Sequence, residues 1–568
     1  MIAALAKPDF SWDGNTYHVP TIHEWMRQGF IHWVGFDYDP GPGWAGYVDL
    51  MINDYPKAGE TVGFLLSGAM GSSHPVNASN LVFFPLGVTG IVVAARSLGA
   101  SRASSWTVAA ALGLVPILVA QGVTAYVDAA LADSIGASVG ILTVLATEMR
   151  RGRLPWIAAP AAGSAIGLTA ACKGSGLAQA LLCLGFVVVF GAALVRRAPR
   201  ASRVRSAVQA ALFAAVIAGC ALSVAGYWYV RDYVVKGNPL APVRVTLFGH
   251  VVFPGVPMTE VMPEEALTPD FMKPWGAWRK IAFTWLQGGM QTGHEWPGST
   301  RYYDARDGGL GYLWAFACVP AVLFVGFLAL RASRSRERGA SRVSASVFFP
   351  LLVVIGVPFL ILPMNWWSRY TMWISVLGLP CLAVAMDHVG SLRRTALRFA
   401  MRGGLVAVLA VACFEGLYSF YYSGLESAFL RVGLVSYTPA GLWRALTNYD
   451  HPRYFFGNLT PLGVEAVTAP DAVALGDWTV VDGPLLGVLS MPVGLRDIVF
   501  LSPAIANDEV RLRQLLDEHH VRFLFWRDDQ PTPAPVVRLA TRDERTPGFW
   551  RVYEMEPPRP VPTDIRAK

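Results

Sequence analysis

Long apolar runs separated by short, sharply polar breaks dominate the chain. Runs of roughly 17 to 22 mostly apolar residues, the length a helix needs to cross hydrocarbon, recur at 81–99, 104–121, 129–147, 155–172, 177–195, 207–226, 310–330, 345–362, 371–389 and 403–421. They predict about ten spanning helices. Two parts of the chain break this rhythm. In residues 1–80, Thr21 to Gln28 has the mixed character of a helix lying at an interface, with Trp25 suited to headgroups. The apolar run from Thr61 to Met70 is too short to cross. After 421 the apolar runs shrink to strand length at Ala472 to Val481, Asp497 to Leu501, Val521 to Trp526 and Phe549 to Tyr553, with one amphipathic helical pattern from Asp508 to Glu518. The pattern predicts an α-helical polytopic membrane protein with a small C-terminal α/β extracytoplasmic domain. Its parts are a first outer loop region with interfacial helices over 1–80, a transmembrane domain over 81–421 that includes a large outer loop at 227–309, and the α/β domain over 422–568.

The polar breaks alternate in kind. Arg96/Arg102, Arg150/Arg151/Arg153, Arg196 to Arg205, Arg331 to Arg342 and Arg393 to Arg402 fill every second break, and such basic loops mark the cytoplasmic face. The opposite, extracytoplasmic face receives the stretch Trp12 to His18, Asp54 to Glu60, Asp128, Lys173, the 227–309 loop and Trp366 to Tyr370. Topology thereby accounts for the net charge of +7, and nucleic-acid binding is excluded because the basic groups do not line a soluble face with interleaved aromatics. A content of 53% hydrophobic and 15% charged residues excludes an ordinary soluble domain. All six cysteines lie in or at the ends of apolar runs, where thiols behave as small buried hydrophobes, so neither a disulfide framework nor a zinc site is expected. Residue 1 falls on the outer side with no span before it, so the chain is expected to lack a first helix that its parent gene encodes.

Six short motifs in order, Trp12-Asp13-Gly-Asn-Thr-Tyr17-His18-Val-Pro20, Asp54-Tyr-Pro-Lys-Ala-Gly-Glu60, Thr124-Ala-Tyr-Val-Asp128, Lys173-Gly-Ser-Gly-Leu177, Arg231-Asp-Tyr-Val-Val-Lys-Gly-Asn-Pro239 and Trp367-Ser-Arg369-Tyr370, resemble those of bacterial membrane glycosyltransferases of the GT-C superfamily. These are the relatives of protein O-mannosyltransferases and lipid A aminoarabinose transferases. The resemblance covers about residues 10 to 390. It implies inverting transfer of a monosaccharide from a polyprenyl-phosphate carrier to a glycan, lipid or protein acceptor of the cell envelope. The familiar adjacent acidic pair is absent, since Gly14 follows Asp13.

By this resemblance Asp13 is the catalytic residue of the first outer loop, because an attacking hydroxyl must lose its proton as the bond forms; the plain alternative is a helix cap. Tyr17, His18 and Tyr370 accompany the motifs. Lys173 and Arg369 are expected at the donor phosphate, with Arg231 as a further candidate, since compact ammonium groups and guanidinium forks match phosphate. Lys173 snorkelling to headgroups and Arg231 pairing with Asp232 are the plain alternatives. Gly167 to Gly174 is not a nucleotide P-loop, because Cys172 and Gly174 flank the lysine. Asp54, Glu60 and Asp128 are acceptor or metal candidates for a divalent cation (Mg or Mn) near the donor phosphate. Asp133, about a turn and a half deeper than Asp128, reads as a structural pair or hydrogen-bonding group. His250, His294 and Glu295 are candidates for acceptor or metal contacts, and Trp275, Trp278, Trp285 and Trp296 read as membrane-surface anchors. Two other readings stand beside the enzyme: a transporter or flippase for a lipid-linked saccharide, which would show paired halves that are not seen here, and a non-catalytic envelope assembly protein.

Overall fold

A computed structural model describes residues 9, 11, 13–34, 51–71, 74–286, 305, 308–334, 344–421, 465–466, 472–476, 498–501, 503–527, 531–545 and 550–557. A single π turn at Gly14–His18 runs into helix α1 (Val19–Gln28), and α2 (Ala58–Met70) follows. The apolar runs then fold as α3 (Ser79–Leu98), α4 (Arg102–Ala110), α5 (Pro116–Gln121), α6 (Asp128–Arg150), α7 (Ala159–Cys172), α8 (Gly176–Arg197) and α9 (Arg203–Lys236). A hairpin, β1 (Val245–Leu247) and β2 (His250–Phe253), and α10 (Ala277–Leu286) occupy the large loop. The remaining runs form α11 (Val319–Arg334), α12 (Ala345–Ile361), α13 (Ser375–Gly390) and α14 (Thr395–Phe420).

Among the described residues seven helices are long and apolar enough to cross a membrane, and Trp156–Cys172 and Ala345–Ile361 are shorter apolar helices. The protein is a multi-pass membrane protein. In Asp128–Arg150 the acid is the first residue and the arginine the last, so they stand at opposite ends of that helix. The most apolar window of Asp128–Arg150 is 83% buried within the protein, against 17% for the window in Arg200–Lys236 and 6% for that in Thr395–Phe420. Helix α6 is therefore the central post, and the other two lie at the outside of the described helices.

Of the ten expected spans, 104–121, 155–172 and 345–362 fall short of a crossing helix and 207–226 is part of a longer one. The run at 104–121 breaks into α4, a short 3₁₀ turn and α5, because Val115 precedes Pro116 and takes an extended conformation; the proline ring disfavours the helical region for the residue before it. The break is held by Ile117, whose N–H donates to the Gly309 carbonyl (2.9 Å), and by Ser419 Oγ, which donates to the Pro116 carbonyl (2.8 Å). Helix α9 continues past 226 to Lys236, so Arg231 lies within a helix and does not open a loop.

Backbones of α3 and α6 meet directly. A Cβ at Gly90 would lie 2.0 Å from the Gly136 carbonyl oxygen, so only glycine permits this approach. Above that contact, buried Asn80 in the first turn of α3 organises the loop leading into α6. Its Nδ2 donates to the carbonyls of Gln121 (3.0 Å), Thr124 (2.9 Å) and Tyr126 (2.6 Å), and its Oδ1 accepts from the Ala130 N–H (3.1 Å). Changing Asn80→Ala strands several buried backbone groups at once and is expected to lower the unfolding free energy by about 2–4 kcal/mol. Denaturant unfolding in micelles measures this, and a loss under about 0.5 kcal/mol would show that water replaces the amide.

Towards the C-terminus, β3 (Ala472–Gly476), β4 (Ile498–Leu501), α15 (Glu509–Glu518), β5 (Val521–Arg527), α16 (Ala534–Leu539), β6 (Ala540–Arg545) and β7 (Trp550–Met555) follow. The strands form a mixed sheet in the order β4-β3-β5-β7-β6, with β4, β3 and β5 parallel and β7 and β6 antiparallel. Asp508 caps α15, accepting from the N–H groups of Val510 and Arg511. Leu512, Leu516, Val521, Leu524, Trp526, Val536 and Tyr553 make its core. By its contacts the chain forms two compact units, one holding Asp54–Val62 with Ala78–Gly424, the other Ile2–Asn53, Gly63–Asn77 and Leu425–Lys568.

Candidate functional site

The end of the first unit opposite the arginine loops gathers most of the candidate residues. Asp128 is the first residue of α6, where the positive end of the helix dipole favours a carboxylate. Its Oδ1 accepts from Lys173 Nζ (2.5 Å) and its Oδ2 from Arg369 Nε (3.0 Å). Lys173 terminates α7 in an extended conformation, and Arg369 lies in the short helical turn Ser368–Thr371. That turn is pinned by Ser368 Oγ, which donates to the carbonyls of Ala305 (3.0 Å) and Gly308.

Aromatic rings line the triad. The Arg369 guanidinium sits 4.1 Å from the centroid of Tyr126 and 5.2 Å from that of Tyr370, and Lys173 Nζ lies 4.7 Å from the Tyr370 centroid. Rings so placed stabilise cations through their quadrupoles. Behind them Trp366 and Trp367 stack at 6.0 Å, both buried. The side chain of Arg369 is 5% exposed and that of Lys173 25% exposed, so the lysine is the more open of the two cations.

A second charged group adjoins this one. Lys57 is fully buried, with Nζ 3.2 Å from Glu60 Oε1, and Arg231 binds Asp232 through Nε and Nη2 at 3.1 and 2.9 Å. Lys236 Nζ lies 3.9 Å from Asp54. Burial pushes the Lys57 ammonium below its ordinary value although Glu60 opposes the shift, and Arg231 adds to it. Close packing links the two groups: a Cβ at Gly59 would meet Val127 Cγ1 at 2.7 Å, so the Lys57–Glu60 turn lies against the residue preceding Asp128.

The structure brings some of the candidate residues together and leaves others apart. Lys173, Arg369, Asp128 and Tyr370 come together. Asp54, Glu60 and Arg231 form the adjacent group, and Arg231 pairs with Asp232 as the plain alternative held. Asp133 was read as a pair or hydrogen-bonding group, but its buried Oδ1 has no hydrogen-bond partner among the described residues; it is aimed at Gly87, where a Cβ would lie 2.0 Å away. Asp13 precedes the π turn and makes no capping bond to it; its Oδ2 accepts from Tyr17 Oη (2.8 Å). The ring of Tyr17 contacts His18 at 4.2 Å, and these three residues belong to the second unit. His250 is exposed in β2. His294, Glu295 and Trp296 lie outside the described residues.

A divalent cation finds no ready cradle here. Among the described residues no three His, Cys, Asp or Glu side chains gather as metal ligands. Both oxygens of Asp128 are engaged by cations, and Asp54 and Glu60 each face a lysine. Engaged by cations in this way, these residues do not fit a metal.

Three residues escaped the sequence reading. Lys57 stood inside the Asp54-to-Glu60 motif, and Asn80 was hidden beside the sequon-like Asn77-Ala-Ser79, whose Asn77 is buried. Glu415 is a buried carboxylate in α14 whose Oε2 accepts the Tyr312 N–H at 2.9 Å. As the one acid in the 403–421 run, it carried the usual signal of an ionisable group at membrane depth. Trp25, expected at headgroup level, is buried instead, edge-on to Phe64 and donating to the His32 carbonyl.

No protein-family model and no curated protein sequence matches the chain. Among solved structures it is similar to ArnT from Cupriavidus metallidurans bound to undecaprenyl phosphate, at 13% identity over 97% of this chain and 95% of that one, with a TM-score of 0.45. The apo state of the same protein gives 14% identity over 97% and 94%, also with a TM-score of 0.45. The archaeal oligosaccharyltransferase AglB from Archaeoglobus fulgidus, in complex with an inhibitory peptide and a dolichol-phosphate, gives 15% identity over 93% and 68%, with a TM-score of 0.42.

Proposed function

We propose that the chain is a membrane glycosyltransferase of the GT-C superfamily, which transfers a monosaccharide from a polyprenyl-phosphate carrier to an envelope acceptor on the extracytoplasmic side, with inversion. The observation that carries this reading is the convergence of Lys173 and Arg369 on buried Asp128 within an aromatic wall. Two cations fixed at the end of a membrane bundle offer a lipid-linked phosphate what it needs: charge, directional donors and a position reachable from the bilayer.

In this mechanism the acceptor oxygen attacks the anomeric carbon as the bond from that carbon to the phosphate oxygen breaks. The acceptor proton passes to Asp13, and the electron pair leaves with the phosphate. Lys173 and Arg369 stabilise the charge growing on the departing oxygen, the step at which fixed donors help most. Asp128 is their counterion: it orients both cations before the donor arrives and offsets one of their two charges.

Purified protein in nanodiscs, given a polyprenyl-phosphate sugar and an envelope-extract acceptor, tests this. Turnover is expected, and Asp13→Asn is expected to abolish it while leaving binding of the lipid phosphate intact. Full turnover by Asp13→Asn removes the base from the scheme. Movement of the lipid-linked sugar across a bilayer without transfer overturns the enzyme in favour of a transporter.

A further inference from the structure

Among the described residues the β1–β2 hairpin is an apolar blade with no protein cover. Phe248 is 92% exposed, Leu247 56%, Val251 58% and Val252 49%. Its two-residue turn is Phe248-Gly249, with φ of +49° and +82°. A turn with both central residues at positive φ selects Asn-Gly or Gly-Gly, and an aromatic residue in the left-handed region is strained. The chain keeps a phenylalanine where turn chemistry disfavours it, which points to a use for an aromatic ring at the apex.

The hairpin is also rigidly mounted. Helix α9 ends at Lys236, and buried Asn238 clasps both legs of the hairpin, its Nδ2 donating to the carbonyls of Val243 (2.9 Å) and Pro254 (2.8 Å) while its Oδ1 accepts from the Leu240 N–H. Backbone bonds from Arg244 to Val256 and from Val256 to Pro242 close the base. Helix α9 is about 51 Å long at 1.5 Å per residue, against roughly 40–45 Å for a bilayer with its headgroups, so a tilt of roughly 30–40°, in the upper part of the usual range, brings its last turn to the surface. Its exposed side remains apolar to the end, through Val230, Tyr233, Val234 and Val235, while Arg231 and Asp232 turn inward.

We infer that the β1–β2 hairpin is a membrane-surface wedge, its apex of Leu247, Phe248, Val251 and Val252 seated in the bilayer interface at the site's end of the helices. Its anchoring role is of the kind expected of the loop tryptophans. Trp275 packs against Phe271 and Phe283, and Trp285 against Trp314 and Phe359, leaving Trp278 exposed. A ring at the tip gains from leaving water as the aromatic belts of membrane proteins do. This inference rests on the membrane-spanning helices and not on the transfer reaction.

The test places a benzophenone-bearing phenylalanine at position 248 of the full chain, and at exposed Glu265 of the same loop as control, in nanodiscs of phosphatidylethanolamine and phosphatidylglycerol. Irradiation is expected to give phospholipid adducts at 248 and mainly water-quenched label at 265. A second measurement follows hydrogen exchange across 245–253, where the wild-type protection is expected to be lost in Phe248→Asp while the membrane helices stay protected. Water quenching at 248 equal to that at 265 overturns the proposal, as does crosslinking of 248 to a protein chain in place of lipid.

Discussion

Replacing Asp128 with alanine is expected to lower the unfolding free energy by about 3–5 kcal/mol, the cost of breaking a buried ion pair from one side. The size follows from what is left behind. Lys173 and Arg369 both direct donors at this carboxylate, and all three side chains are at most a quarter exposed. Without it, two cations face each other in a setting that screens them poorly. Removing Lys173 costs less, because Asp128 keeps Arg369. Asp128→Asn, which retains the shape but not the charge, should fall closer to alanine than to wild type. Denaturant unfolding in micelles provides the measurement, with a double-mutant cycle across Asp128 and Lys173 to isolate the pair. A loss below about 1 kcal/mol would place the triad with ordinary solvent-screened surface pairs. Because the site is proposed to hold a phosphate, adding a polyprenyl phosphate should restore part of the lost stability in Asp128→Ala, since an anion returns to the position between the two cations.

The second large effect is expected in turnover. Arg369→Ala should reduce kcat about 10²- to 10³-fold, the range found when one fixed donor to a developing oxyanion is removed. Arg369→Lys should recover only a small part. An ammonium cannot keep the Nε bond to Asp128 and also present a second planar donor edge, and it loses the flat contact with Tyr126 at 4.1 Å. The drop should appear mainly in kcat, because the charge that Arg369 meets grows as the phosphate departs. A variant that keeps kcat and only raises KM would assign Arg369 to ground-state binding. Wild-type kinetics from Arg369→Lys would remove it from the mechanism. Melting curves of each variant separate lost chemistry from lost fold.

How far the site could be read in advance differs residue by residue. Asp128, Lys173 and Arg369 were each visible as ionisable groups where an apolar run meets a polar break, since charge at that depth demands a reason. Their mutual contact was not visible. Arg369 and Asp128 are 241 residues apart in sequence, and nothing in local hydropathy says which helix end lies beside which. Asp133 shows the converse. Its Oδ1 meets no hydrogen-bond partner among the described residues, because the space it enters is made by Gly87 on another helix. Asn80 and Glu415 escaped because each serves backbone groups distant in the chain, at 121–130 and at Tyr312.

The sequence by itself determined where the apolar runs lie and in what order, the alternation of arginine-bearing breaks with chemistry-bearing ones along the chain, and the change to strand-length runs after 421. Each of these is a sum over some 5 to 20 neighbouring residues, set by the cost of placing backbone and charge in hydrocarbon. The tertiary structure decided which charges pair, where the second run breaks and what holds the break, and which apolar residues remain uncovered. Those outcomes depend on contacts between segments far apart in the chain, on the close approach that Gly59 and Gly90 allow, and on directional bonds that form only once the helices have packed.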